Sequence, residues 1–173
     1  LPLQVTRQVL LWMKPSQPEL FRTGWFPVFM VESEEGIHYG FPLHGDDLMK
    51  VAKHFHRNES ADPEGYDRAI SADDESLILG PIRRFLPAAA GPVVTSKTCL
   101  YTMAPDGDFV IDRVPGRPNI VVVSPCSGHG YKFAPAIGQA VVELAFGGKS
   151  SLDLSRFRIG RFTQPLSALD AAQ

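Results

Sequence analysis

A chain of 173 residues with 44% hydrophobic content is long enough to bury one ordinary core, and one domain is expected. A net charge of −2 gives no reason to expect a nucleic-acid or anionic-membrane surface, and no apolar stretch nears the ~20 residues that span a bilayer. Two cysteines without framework spacing offer neither a disulfide scaffold nor a zinc pattern and fit a reducing, cytoplasmic setting with no signal peptide. The chain opens without Met and enters a strand almost at once, as a fragment of a longer protein would.

Val5 to Met13 is rich in β-branched and aromatic residues and predicts a strand stopped by Lys14-Pro15. Phe26 to Glu32 and Ile37 to Pro42 predict a hairpin across Ser33-Glu34-Glu35-Gly36, with Ile37, Tyr39 and Phe41 on one face. Leu48 to His56 reads as the next strand. Met49, Val51 and Phe55 share one face, and Lys50, Ala52, His54 and His56 the other. Taken alone, that second face is an ordinary solvated surface. His54-x-His56, with His44 nearby, lacks the carboxylate or cysteine that would complete a ligand set, so no metal site is expected. Asn58 to Ser71 is a polar loop. Asp73-Asp74-Glu75 place acids where a helix dipole favours them, opening a helix through Leu77, Ile78, Ile82 and Phe85 that bends at Gly80-Pro81 and stops at Pro87.

Val93 to Thr102 predicts a strand with Lys97, Cys99 and Tyr101 on one face. The turn Pro105-Asp106-Gly107-Asp108 leads to a return strand, Phe109 to Val114. Ile120 to Val123 is a further short strand, followed by the turn Ser127-Gly128-His129-Gly130-Tyr131-Lys132 and a helix. Phe133, Ile137, Val141 and Leu144 form its apolar stripe, Pro135 suits its first turn, and Gly147-Gly148 end it. Two glycines, a helix N-terminus and Lys132 suit an anionic ligand, although the turn does not match G-x-G-x-x-G. Phe146 to Ser150 falls short of a phosphate-binding loop. Leu152 to Phe162 predicts a turn and a last strand, and the Ala-rich tail after Leu166 is expected to fray. Antiparallel strands, a helix, more strands and a final strand–turn–helix make an α+β chain rather than a doubly wound sheet.

Cys99-Leu100-Tyr101-Thr102, Phe109-Val110-Ile111-Asp112 and the Ser127–Lys132 turn together resemble the C-terminal half of the monomeric sarcosine oxidase family. That family includes N-methyltryptophan oxidase, and the similarity runs over most of the chain. The resemblance implies an FAD-dependent amine oxidase with a largely antiparallel or mixed sheet forming the substrate-binding domain over residues 1–114. The flavin-attachment strand would lie at 93–102, a strand–turn–helix completing the flavin domain at 115–146, and a C-terminal strand and tail at 147–173. It implies a thioether from Cys99 to the flavin, which requires a thiolate and hence a lowered pKa, with same-face Lys97 as a possible aid. Lys50 and His54 match the catalytic positions, Lys50 where oxygen meets reduced flavin and His54 lining the substrate pocket. Tyr39 and Tyr101 match aromatic substrate-pocket residues, and Lys132 the lysine that helps hold the substrate carboxylate. Gly128, His129 and Gly130 match the turn whose backbone lies against the flavin.

The partners so implied are a small amino-acid-like substrate, molecular oxygen and an N-terminal FAD-binding half absent from this chain, which carries the nucleotide fingerprint and a carboxylate-clamping arginine. The family usually has Asp-Glu-His-Phe where Asp106-Gly107-Asp108-Phe109 stands, and Phe at Tyr131. The residues also admit a non-enzymatic small-carboxylate-binding module, in which Cys99 merely packs, and a related deaminating or sugar-amine oxidase.

Overall fold

A computed structural model describes residues 1–163. Two compact units emerge, one of residues 5–100 and one of residues 1–4 with 101 onward. The first is built on a five-stranded sheet whose members are β1 (Gln4–Met13), β2 (Phe29–Ser33), β3 (Gly36–His44), β4 (Leu48–Lys53) and β5 (Val93–Met103). Their order is β2-β3-β4-β1-β5, and the pairs β2·β3, β3·β4 and β1·β4 run antiparallel. The β2–β3 hairpin closes across Glu34-Glu35 as the sequence predicts, with Gly36 at a φ of 105° that a side chain would disfavour.

Strand alternation sorts this sheet into two faces. Val9, Leu11 and Met13 of β1, with Met49 and Val51 of β4, are fully buried and pack with Ile78, Leu79 and Ile82 of helix α1 (Ala72–Phe85). α1 begins with a capping box. The Ser71 side chain accepts from the Asp74 N–H while the Asp74 carboxylate accepts from the Ser71 N–H, each at 3.1 Å. The helix runs through Pro81 rather than ending there. Proline has no N–H to offer the Leu77 carbonyl four residues back, and buried His38 takes that carbonyl with Nε2 at 3.0 Å.

The second unit holds a separate two-stranded antiparallel sheet, β6 (Val110–Val114) with β7 (Arg117–Ser124). The 109–114 segment is therefore not the return strand of β5; it pairs with β7 across the tight Pro115-Gly116 turn. A short 3-10 turn, Tyr131–Phe133, leads into α2 (Ala134–Val142), which carries Pro135 in its first turn. Its last turn widens to a π turn over Glu143–Gly147, and Gly148 ends it with a left-handed φ of 76°. The strand expected within 152–162 does not form. Two 3-10 turns, Ser155–Phe157 and Ile159–Thr163, stand there, tied to the 106–109 turn by ion pairs from Arg156 to Asp108 and Arg161 to Asp106, each 2.6 Å. Local bonds curl that segment instead: the Ser155 N–H donates to the Asp153 carboxylate and the Phe157 N–H to the Leu154 carbonyl, each at 2.9 Å. The tail after Leu166 lies outside the described residues.

Candidate functional site

The face of the five-stranded sheet opposite α1 carries the sequence-predicted lysine. Lys50 sits across from Trp12 on β1 and from Phe41 on β3, and its ammonium lies 5.5 Å and 5.2 Å from the two ring centroids. Strand register alone produces this flanking, since directly opposed residues share a face. A cation between two aromatic rings is attracted to their faces and loses part of its water. One step along the same face, Tyr39 lies opposite Ala52 on one side and Met30 on the other. The Tyr39 ring stands 6.3 Å from the rings of both Phe41 and His54, edge-on to each.

His54 is not on the strand. β4 ends at Lys53, and residues 54–57 turn, so the expected Lys50–His54–His56 face breaks after Lys53. His54 is still brought beside Tyr39, its N–H bonded to the Ile37 carbonyl at 2.7 Å and its ring against Phe55 at 3.8 Å. His56 goes the other way. It is 3% exposed, and its Nε2 lies 2.9 Å from Asp74. Arg7 and Arg57 close on the same carboxylate, each at 3.1 Å. Burial opposes the charge on Asp74, but hydrogen bonds from His56, Arg7, the Ser71 backbone and Arg57 overcome it and hold the carboxyl well below its ordinary range. Burial pushes His56 down from its ordinary value against the pull of Asp74, so the imidazole is neutral and donates Nε2–H. The Ser71-x-x-Asp74 spacing was a readable sign that Asp74 caps a helix. Nothing in sequence pointed to Arg7 or His56 as its partners.

Cys99 on β5 is half-buried. Burial pushes its thiol up, and the charge of Lys50 pulls the other way without winning. The expected lowering of this pKa is thus reversed in the chain as it stands. The charge that reaches the thiol is Lys50's, whereas Lys97 is exposed. Tyr101 follows two residues later on β5 and is half-buried.

The second unit holds the glycine turn. Ser127 and Gly128 take left-handed φ values of 44° and 76°. Ser127 is buried; its N–H bonds the Thr102 carbonyl at 2.8 Å and its hydroxyl donates to the Asp108 carbonyl at 3.0 Å. The N–H groups of His129 and Gly130 are both engaged by the Cys126 carbonyl, at 3.0 and 3.1 Å. A side chain at Gly130 would place its Cβ 1.5 Å from the Pro125 carbonyl oxygen, so the chain itself needs that glycine. His129 bonds the Gly107 carbonyl through Nε2 at 3.0 Å and lies against the Phe109 ring at 4.8 Å. Lys132 is exposed, donating to the His129 carbonyl at 2.8 Å with its ammonium 4.8 Å from the Phe133 ring. The expected residues therefore fall into two groups. Lys50, His54, Tyr39 and Cys99 belong to the first unit; Gly128, His129, Gly130 and Lys132 belong to the second, as does Tyr101. Trp12 and Phe41, which flank the lysine, were not singled out from the sequence, because a pairing register is needed to find them. Among the described residues, no three His, Cys, Asp or Glu side chains stand together as a metal site would require, and no helix is long and apolar enough to cross a membrane.

Residues 1–144 match the family model described as "FAD dependent oxidoreductase". The monomeric sarcosine oxidase of Bacillus sp. (strain NS-129) is 34% identical over 163 residues, 93% of this chain and 42% of that protein. The N-methyl-L-tryptophan oxidase of Salmonella typhi is 37% identical over 166 residues, 95% of this chain and 44% of that protein. The chain thus spans less than half the length of these relatives. Among solved structures, Amadoriase I of Aspergillus fumigatus, a fructosyl amine:oxygen oxidoreductase, superposes with a TM-score of 0.69 at 21% identity, over 97% of this chain and 40% of that one. The amino acid oxidase NikD gives 0.69 at 18% identity, over 91% and 42%. At such identities these two bear on the fold alone.

Proposed function

The chain belongs to the family of FAD-dependent oxidoreductases, and from that premise we propose that it is the C-terminal part of an oxidase acting on secondary amino acids such as sarcosine or other N-methyl amino acids. The observation that carries this reading is Lys50, a fixed ammonium between Trp12 and Phe41 whose charge reaches the Cys99 thiol.

The residues present suit a flavin. A half-buried thiol that feels the Lys50 charge would fit attachment of a flavin at Cys99. When bound, the flavin supplies the acceptor for the hydride equivalent that leaves the amine. The resulting imine takes up water to give amine and aldehyde, and oxygen accepts the two electrons and two protons to leave as hydrogen peroxide.

The chain's own side chains supply the rest. Lys50 stabilises the negative charge that develops as oxygen takes its first electron, and its aromatic flanks limit the water that would screen it. Tyr39 and His54 offer a substrate an aromatic edge and an imidazole at one end of that face. Lys132 rests on a neutral carbonyl, and a substrate carboxylate, being charged, is the stronger acceptor and would displace it. Attachment at Cys99 would need the thiolate that burial disfavours, and the Lys50 ammonium is the charge on this chain that works toward it.

In the flavin-loaded protein containing this chain, absorbance near the flavin bands should stay with the precipitated polypeptide in acid, and Cys99→Ala should release it. Lys50→Met should slow reoxidation by oxygen about 100-fold or more while amine-driven reduction continues. Complete release of flavin from unmutated protein by acid would remove the covalent assignment. Unchanged reoxidation in Lys50→Met would remove the role of Lys50.

A further inference from the structure

The segment after β4 is strained in a way no glycine relieves. Phe55, His56 and Asn58 have φ values of 62°, 29° and 54°; asparagine and histidine visit this region more readily than most side chains, but a bulky Phe seldom does. Such a conformation persists only where its surroundings over-determine it. Here two side chains of the turn reach the same buried carboxylate, His56 through Nε2 at 2.9 Å and Arg57 through Nε at 3.1 Å. Asp74 is itself immobilised. It is 5% exposed, accepts from Arg7 at 3.1 Å and from the Ser71 N–H at 3.1 Å, and sits in the first turn of α1. Arg7 is in turn bound to the carbonyls of Asp67 and Ala69. The next charge outward is Glu59, 4.0 Å from Arg57. At the entrance of this turn lies His54, stacked on Phe55 at 3.8 Å and 6.3 Å from Tyr39.

We propose that His56 is a positioning residue, whose bond to Asp74 locks the left-handed turn and thereby fixes the His54 imidazole beside Tyr39. The proposal rests on the reading of His54 as a substrate-pocket residue. The cluster acts through geometry rather than through charge delivered to substrate. His56 faces into the protein toward Asp74, and the link to His54 is the strained backbone of Phe55, the one residue between them, and of His56 itself. Without the anchor, Phe55 can return to an ordinary φ, and the ring stacked on it moves as well.

The test uses the flavin-loaded protein labelled at histidine. His56→Leu keeps apolar volume and removes the donor, whereas His56→Gln retains an N–H near the position of Nε2. In His56→Leu, the His54 imidazole resonances should shift or split, and the limiting rate of flavin reduction by amine should fall about tenfold with the oxygen reaction unchanged. His56→Gln should restore the rate to within about twofold and the single His54 signal with it. Should His56→Leu fail to fold, Arg57→Ala loosens the same turn from a partly exposed side chain and should shift the His54 resonances in the same direction. Loss of thermal stability in these variants with an unmoved His54 signal overturns the proposal. His54→Asn separates the two claims. If it leaves flavin reduction intact, the substrate-pocket reading of His54 fails, while the resonance shift in His56→Leu still decides the anchoring.

Discussion

The two units bury their apolar residues very differently. Residues 5–100 enclose a continuous core of Val9, Leu11, Met13, Met49, Val51, Ile78 and Ile82 between sheet and helix, with a buried ion cluster at one end. The unit that contains β6, β7 and α2 buries Phe109, Val110, Ile111 and Ala140 but leaves Phe146 90% exposed and Tyr131 96% exposed, with Ile120, Phe133 and Val142 partly so. Outward apolar side chains of this size are the kind that seat another surface, and the chain spans less than half the length of the relatives it matches. The first unit also leaves Trp25, Met30 and Val28 exposed, but these lie on or just before β2 at the edge of the sheet, away from the face that packs on α1. The second has a helix whose stripe is only half used.

The largest expected effect tests that contrast. Asp74→Ala leaves the buried Arg7 charge without its counter-ion and the His56 Nε2–H without its acceptor, and should cost about 3–5 kcal/mol. Hydrogen exchange should speed up for amides of β1, β4 and α1 and stay the same for β6 and β7. Equal acceleration in both units would show that they unfold as one, ending the comparison.

Acid should separate the units more gently. His56 is held below its ordinary value of 6.5, so the unfolded chain takes up a proton first. Its stabilising contribution is complete above that value and is lost as pH falls through it, at up to about 1.4 kcal/mol per pH unit until the folded-state value is reached. In the other unit the depressed groups are carboxylates: Asp106 against Arg161, Asp153 held by Ser155, and Glu143, which is lowered to about 2. Their contributions are intact above the ordinary values of 3.8 and 4.5 and fade only below them. Circular dichroism and exchange between pH 7 and 5 should therefore show loosening in residues 5–100 alone, and His56→Gln should flatten that response.

These differences also mark what could be read beforehand. The hairpin at 33–36, the helix after Ser71 and the strand–turn–helix after Ile120 follow from alternation, caps and glycine placement, all of which are local. Lys50 and Cys99 stood out through a motif resemblance, again local. What escaped notice depends on partners far apart in sequence. Trp12 flanks Lys50 only through the β1·β4 register, and β6 pairs with β7 rather than β5 because the 105–108 turn does not close a two-strand ladder. His56 was assigned to the wrong face because alternation was carried past Lys53 into a turn whose left-handed residues include no glycine. The signal for that break is the polar clustering from Arg57 to Ser60, which reads as a loop three residues too late.

The smallest effect contrasts the two thiols. In the flavin-free chain, iodoacetamide consumes thiolate, so exposed Cys126 should be alkylated faster than half-buried Cys99, whose thiol burial holds up. Lys50 is the cation that offsets part of this burial. Because its charge draws the Cys99 thiol down, Lys50→Met should lower the Cys99 alkylation rate at fixed pH and leave Cys126 unchanged. Raising the salt concentration should mimic the substitution only weakly, since a half-buried pair is screened less than an exposed one. Mass spectrometry of each cysteine peptide over time gives both rates in one experiment, with Cys126 as the internal reference. If Cys99 were unaffected by Lys50→Met, the ammonium would be coupled to its aromatic flanks and not to the thiol. The flavin-attachment reading would then rest on the motif alone.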